Sequence, residues 1–135
     1  MKVRIFLIPL LGGILVLLNG CSQKVDAKSE AANLEKAFPG ASSTAPISSE
    51  GSSVAERANV NNYVNLAASA IRTNDYASAV ILLQDVQNKP GVTAQQLMTL
   101  AETVRKMTSE LVERASKGDP KAKADLAAIE RSLSQ

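Results

Sequence analysis

The chain has 135 residues, with fifteen basic and thirteen acidic side chains, one cysteine, no histidine and no tryptophan. Without histidine, and with a single thiol, it lacks the parts for Cys/His nucleophiles, serine–histidine relays and most zinc or transition-metal sites. Aromatic residues are only 3% of the total, so there is no basic patch interleaved with rings and no expectation of nucleic-acid binding.

The first segment, MKVR, places Lys2 and Arg4 beside the amino terminus, and IFLIPLLGGILVLL follows with fourteen residues that carry no charge. This is the layout of a secretory signal peptide. A permanent membrane helix needs roughly 20 apolar residues, a length reached here only by counting Asn19, Gly20 and Cys21. Pro9, Gly12 and Gly13 further weaken a long rigid span. The lone cysteine stands where the apolar run ends and SQKVDAKSE begins, a sequence unable to bury a thiol.

Together, Leu18, Asn19, Gly20 and Cys21 resemble the lipobox of a bacterial lipoprotein. The resemblance implies a diacylglycerol thioether at Cys21, cleavage before it and acylation, for example by palmitate, of the new amino terminus. Each buried methylene contributes about 0.8 kcal/mol, so several acyl chains hold firmly where one holds reversibly. Ser22, in the position after the anchor, implies passage to the outer membrane, facing the periplasm, in a diderm host; in a monoderm host the anchor would stay on the outer face of the cytoplasmic membrane. Removal of residues 1–20 takes Lys2 and Arg4 with it, so thirteen basic face thirteen acidic residues in the 115 that remain. That length suits one small domain, which has no disulfide and must be held by packing.

Residues 21–52 read as a lipidated amino terminus followed by a flexible tether. VDAKSEAANLEKAF (25–38) is alanine-rich and charged, with Val25, Leu34 and Phe38 its large apolar side chains, which predicts at most a short helix with a thin stripe. FPGASSTAPISSEGSS (38–53) has the proline, glycine and serine content of an extended linker. GASS (40–43) has neither a preceding strand nor a following lysine, and is linker rather than a phosphate loop.

Residues 53–135 read as the helical domain. Ser53 and Glu56 have capping-box spacing, and Val60, Val64, Ala67 and Ile71 recur with helical period. RTND interrupts the pattern before YASAVILLQDV, and NKPG closes that second helix. A third helix is predicted from Thr93 to about Ser116, with Leu97, Leu100, Ala101, Val104, Met107, Thr108, Leu111, Val112 and Ala115 on one stripe. Gly118 ends it; Asp119 caps a fourth helix with Pro120 at its first position and Ala122, Leu126, Ile129 and Leu133 on its inward face. No segment alternates as a strand does. The predicted fold is all-α, a small antiparallel bundle.

The segment VNNYVNLAASAIRTNDYASAVILLQDVQNKPGVT (60–93) resembles one tetratricopeptide repeat, a 34-residue helical hairpin. Tyr63, Leu66 and Ala67 fit the first helix of the pattern, and Asp75, Tyr76, Ala79, Leu83 and Val86 the second. The expected arrangement is this pair plus two carboxyl-terminal helices. The long third helix lacks a second repeat's turn, and about three repeats are needed for a solenoid, so no superhelix is expected. In the family the first helices line a concave peptide-holding surface, which implies a partner-binding face at Asn61, Asn65, Ala68 and Arg72.

Glu110 and Glu113, set among Lys106 and Arg114, read as solvent-facing ion pairs rather than a catalytic acid pair. Tyr63 and Tyr76 read as packing residues. The expectation is a non-enzymatic, membrane-tethered envelope lipoprotein without cofactor or metal, bound to lipid through Cys21 and to an envelope protein or peptide. The alternative is an oligomeric spacer that self-associates through helix 93–116, since Leu97, Val104 and Leu111 repeat every seven residues; a carboxylate-dependent enzyme is the remote third reading.

Overall fold

The computed structural model describes residues 24–40 and 54–135. The signal segment, the lipobox with Cys21 and Ser22, and Ser53 of the predicted capping box lie outside the described residues. Those described form five α-helices and no strand: α1 (Ala27–Ala37), α2 (Val54–Arg72), α3 (Tyr76–Gln87), α4 (Ala94–Ser116) and α5 (Pro120–Leu133).

Local chemistry sets the boundaries. Asp26 caps α1, its carboxylate accepting from the N–H groups of Lys28 at 3.1 Å and Ser29 at 3.3 Å. Between α2 and α3 the chain reverses through Asn74, whose φ of 58° is left-handed backbone that asparagine tolerates better than most residues. Asp75 then caps α3 through the Ser78 N–H. At α4, Thr93 and Gln96 form a reciprocal capping box: the Gln96 N–H donates to Thr93 Oγ1 at 3.2 Å, and the Thr93 N–H to Gln96 Oε1 at 2.9 Å. Gly118, with φ of 94°, lets the chain leave α4, and Asp119 and Pro120 open α5 as the sequence predicted.

Thr93→Ala removes one half of the α4 box and is expected to lower stability by about 1 kcal/mol, while Thr93→Ser keeps the acceptor and most of that stability. Thermal unfolding followed by circular dichroism checks the pair. Equal losses in both variants would show that the hydroxyl does not cap.

Helix α3 is the centre. YASAVILLQDVQ has one charged residue, and a helix apolar nearly all round must be covered on several sides. It packs on α2, α4 and α5. Ala67, Ala77 and Ala79 are buried, small enough for backbones to approach closely, while Ile71, Leu83, Leu100, Met107 and Leu111 are fully enclosed.

Helix α1 is the main difference from the sequence-based expectation for 21–52. Its thin stripe is part of the core: Ala31 and Leu34 are fully buried and Phe38 is 2% exposed. The helix packs on both α2 and α4. Three well-spaced apolar positions suffice because the slot that receives them is lined by helices on two sides. The bundle therefore starts near Val25, with α1 as a fifth member before the four predicted helices.

Candidate functional site

The polar chemistry concentrates where α1 meets its two neighbours. On the α4 side, Glu30 is 8% exposed and its Oε1 accepts from Lys106 Nζ at 2.8 Å. Thr103 Oγ1 stands 3.5 Å from the other carboxylate oxygen. Glu102, one turn before Lys106 on α4, reaches the same ammonium at 2.9 Å. Its hydrogen bond to Glu30, then that to Glu102, holds the Lys106 ammonium above the ordinary lysine range, with burial opposing. The same ammonium pulls the Glu102 carboxyl below its usual value. An open cleft of about 380 Å³ runs beside this cluster, and Asn33, Lys36, Gln95 and Thr99 share its lining with Glu30, Glu102 and Lys106.

On the α2 side, Arg72 Nη2 pairs with Glu35 Oε1 at 2.5 Å. At the end of α1, Gln96 Nε2 donates to the Ala37 carbonyl at 3.0 Å, so the side chain that completes the α4 cap also fixes the exit of α1. A methyl group at Gly40 would meet the Asn61 side-chain amide and push it aside, so the chain leaving α1 passes close to α2 there.

This geometry locates the residues expected to face a partner. Ala68 is fully buried, Arg72 is committed to Glu35, and Asn61 lies against Gly40. Asn65 is exposed. Part of the anticipated peptide face is thus taken up by the chain's own α1. Among the described residues no three His, Cys, Asp or Glu side chains gather as a metal-holding group.

No protein-family model, curated protein or solved structure matches this chain. The site is therefore read from its own residues.

The expected pairing around Glu110 and Glu113 is corrected in its partners. Lys106 turns to Glu30 and Glu102, because the α1 acid is presented from a tertiary contact the sequence does not reveal. Arg114 donates through Nε at 2.8 Å and Nη2 at 2.6 Å to Asp119 Oδ2, tying the end of α4 to the cap of α5. This bond, then the backbone N–H of Ala122, lowers the Asp119 carboxyl below its ordinary value. Glu113 pairs with Lys117.

Tyr76 is 4% exposed and donates to Asn74 Oδ1 at 2.9 Å. Burial, then the nearby Glu110 carboxylate, pushes its phenol up. Tyr63 is half-buried, with Lys89 Nζ 5.1 Å from the ring centroid, a cation–π distance. Each tyrosine braces a turn: Tyr76 the α2–α3 reversal and Tyr63 the α3–α4 link.

The sequence reading missed Glu30, Glu35, Lys106 and Gln96 as a group. The available signal was local to α1. Glu30 and Glu35 flank the Ala31 and Leu34 positions, which suits a helix whose apolar stripe faces a partner and whose acids meet bases on either side.

Proposed function

We propose that the protein is a lipid-anchored cell-envelope lipoprotein whose helical bundle serves protein interaction or assembly rather than catalysis. The observation that carries this reading is the placement of Cys21: Leu18, Asn19 and Gly20 precede it, a charged amino terminus and fourteen-residue apolar run stand before them, and an immediate polar switch follows. A small all-helical module fits the role, and the acids of the α1 cluster converge on one ammonium as packing residues do. Neither a cofactor nor a metal enters the proposal. Ser22 favours the outer membrane in a diderm host.

Palmitate labelling tests the anchor. Label should follow the wild-type protein and disappear in Cys21→Ser; equal labelling of both would end the lipoprotein reading. Only five residues lie between Cys21 and Ala27, the first residue of α1, and that distance cannot exceed about 20 Å. The docked bundle would therefore sit close to the bilayer, with exposed Asn65 the remaining candidate of the four for a partner-facing surface.

The α2–α3 hairpin is read as a single repeat-like unit. Burial of Ala67, Ala79, Leu83 and Val86 supports this, whereas Leu66, 50% exposed, packs less than the repeat pattern would require. The spacer alternative has weaker support. Of its three heptad positions Leu111 is fully enclosed by the chain's own bundle and Val104 is half-buried, which leaves only Leu97 exposed for a second copy.

A further inference from the structure

Among the described residues the backbones of α2 and α4 make no close approach, and α1 and α3 each pack on both. Each wall of the slot between these helices presents one base, Arg72 on α2 and Lys106 on α4, the latter shared with Glu102 of α4, and α1 brings acids to both, Glu35 and Glu30. Between the acids it inserts Ala31 and Leu34, with Phe38 closing the end. A helix of eleven residues is marginal by itself in water, so α1 is helical because the slot holds it. A segment fastened mainly through one face opens at lower cost than the whole fold.

We infer that α1 is an exchangeable clasp, filling the slot of its own chain when copies are dilute and that of a neighbouring copy when they are crowded. In the exchanged state the second copy supplies Glu30, Leu34, Glu35 and Phe38 to the site, which is incomplete without them. The contacts are the same in both states, as in any exchange of an identical element. What differs is concentration. The link from Pro39 to Ser53 has fifteen residues and can span about 50 Å, whereas a 100-residue domain has a radius of gyration of only about 13 Å. A neighbour's slot is within reach. A link of this length holds α1 near its own slot at an effective concentration on the order of millimolar, so exchange becomes competitive when the local concentration of copies approaches that value. Confinement to one membrane face would supply such crowding, but the clasp itself does not rest on the lipid anchor and is testable in solution without it.

Two full-length mature variants separate clasp from slot. Leu34→Asp spoils the clasp and leaves a receptive slot; Arg72→Glu with Lys106→Glu spoils the slot and leaves a sound clasp. Mixed at about 10 μM, where the wild type is expected to be monomeric, they should form a one-to-one complex by light scattering. Adding Glu30→Lys and Glu35→Lys to the slot variant should let it close on itself and abolish that complex. The wild type should become dimeric as its concentration nears about 1 mM. A mixture that stays monomeric while both variants keep a helical circular dichroism spectrum overturns the proposal. Should Leu34→Asp fail to fold, hydrogen exchange on the wild type decides. Amides of α1 that exchange well before those of α3 support the clasp, and amides that open only with α3 overturn it.

Discussion

Phe38→Ala is expected to destabilise the protein by about 3–5 kcal/mol, the usual cost of deleting a large aromatic side chain from a packed core. Phe38 is 2% exposed at the end of α1, and its N–H still donates to the Leu34 carbonyl at 3.0 Å. Residues 25–38 acting only as a tether would make the substitution nearly silent. Urea unfolding followed by circular dichroism distinguishes the two, with Lys28→Ala, an exposed position on the same helix, expected to stay within about 0.5 kcal/mol of wild type. The slope of the transition carries further information, because it scales with the surface exposed on unfolding. If Phe38→Ala releases α1 from an otherwise folded bundle, the slope falls. Adding Leu34→Ala then costs little more, since a detached helix has no contacts left to lose. A slope unchanged from wild type, together with additive losses, would place α1 in the same cooperative unit as α3. A Phe38→Ala loss below about 0.5 kcal/mol would remove it from the core altogether.

Four of the five helices were legible in the sequence because their signals are local. The reversal at Arg72–Asp75, the Thr93 cap and the Gly118–Asp119–Pro120 boundary depend on residues within a few positions of one another, and each lies where the chemistry placed it. The stripe on α4 is legible at its centre, where Leu100, Met107 and Leu111 are buried at helical spacing, but the predicted stripe is wider than the buried one: Leu97 and Val112 on α4, like Leu133 at the end of α5, are exposed because no helix covers those edges. Helix α1 was harder. Its composition is that of a soluble helix, its large apolar residues are few, and a proline-, glycine- and serine-rich link follows it. What makes it part of the core is the slot between α2 and α4, a tertiary feature with no sequence signature of its own. The same reason hid the ion pairs. Lys106 has Glu102 and Glu110 one turn away on α4, so an intrahelical partner was the natural reading, yet Glu30 arrives from 76 residues earlier. The face at Asn61, Asn65, Ala68 and Arg72 was identified from repeat spacing, and spacing does not reveal that a preceding helix lies along part of it.

Removing Lys106 should have the second-largest effect, because it strands a carboxylate rather than merely losing a contact. The Glu30 side chain is 10% exposed, that of Lys106 33%. In Lys106→Met the acid would keep only the long contact from Thr103 Oγ1 at 3.5 Å. A buried polar group left short of partners costs about 1–3 kcal/mol, and the partial exposure of Lys106 puts the expectation toward the lower half of that range. Replacing both partners, Lys106→Met with Glu30→Leu, should recover most of the loss, as apolar substitutes for a buried pair often do. A double variant as unstable as the single one would show that the pair supplies packing or register that apolar side chains cannot. The pH dependence has a definite sign. Lys106 carries a folded-state pKa raised above the ordinary lysine value by its bonds to Glu30 and Glu102. Its contribution is therefore fully present below about pH 10.4, the unfolded value, and is lost as pH rises through the higher folded one. Tyr76 and Lys117 are also raised and weaken the protein over a similar alkaline range, so the informative quantity is the difference between wild type and the double variant. That difference should be constant from neutral pH to about pH 10 and should shrink above it. If it instead changes near neutrality, a group other than Lys106 governs the docking of α1.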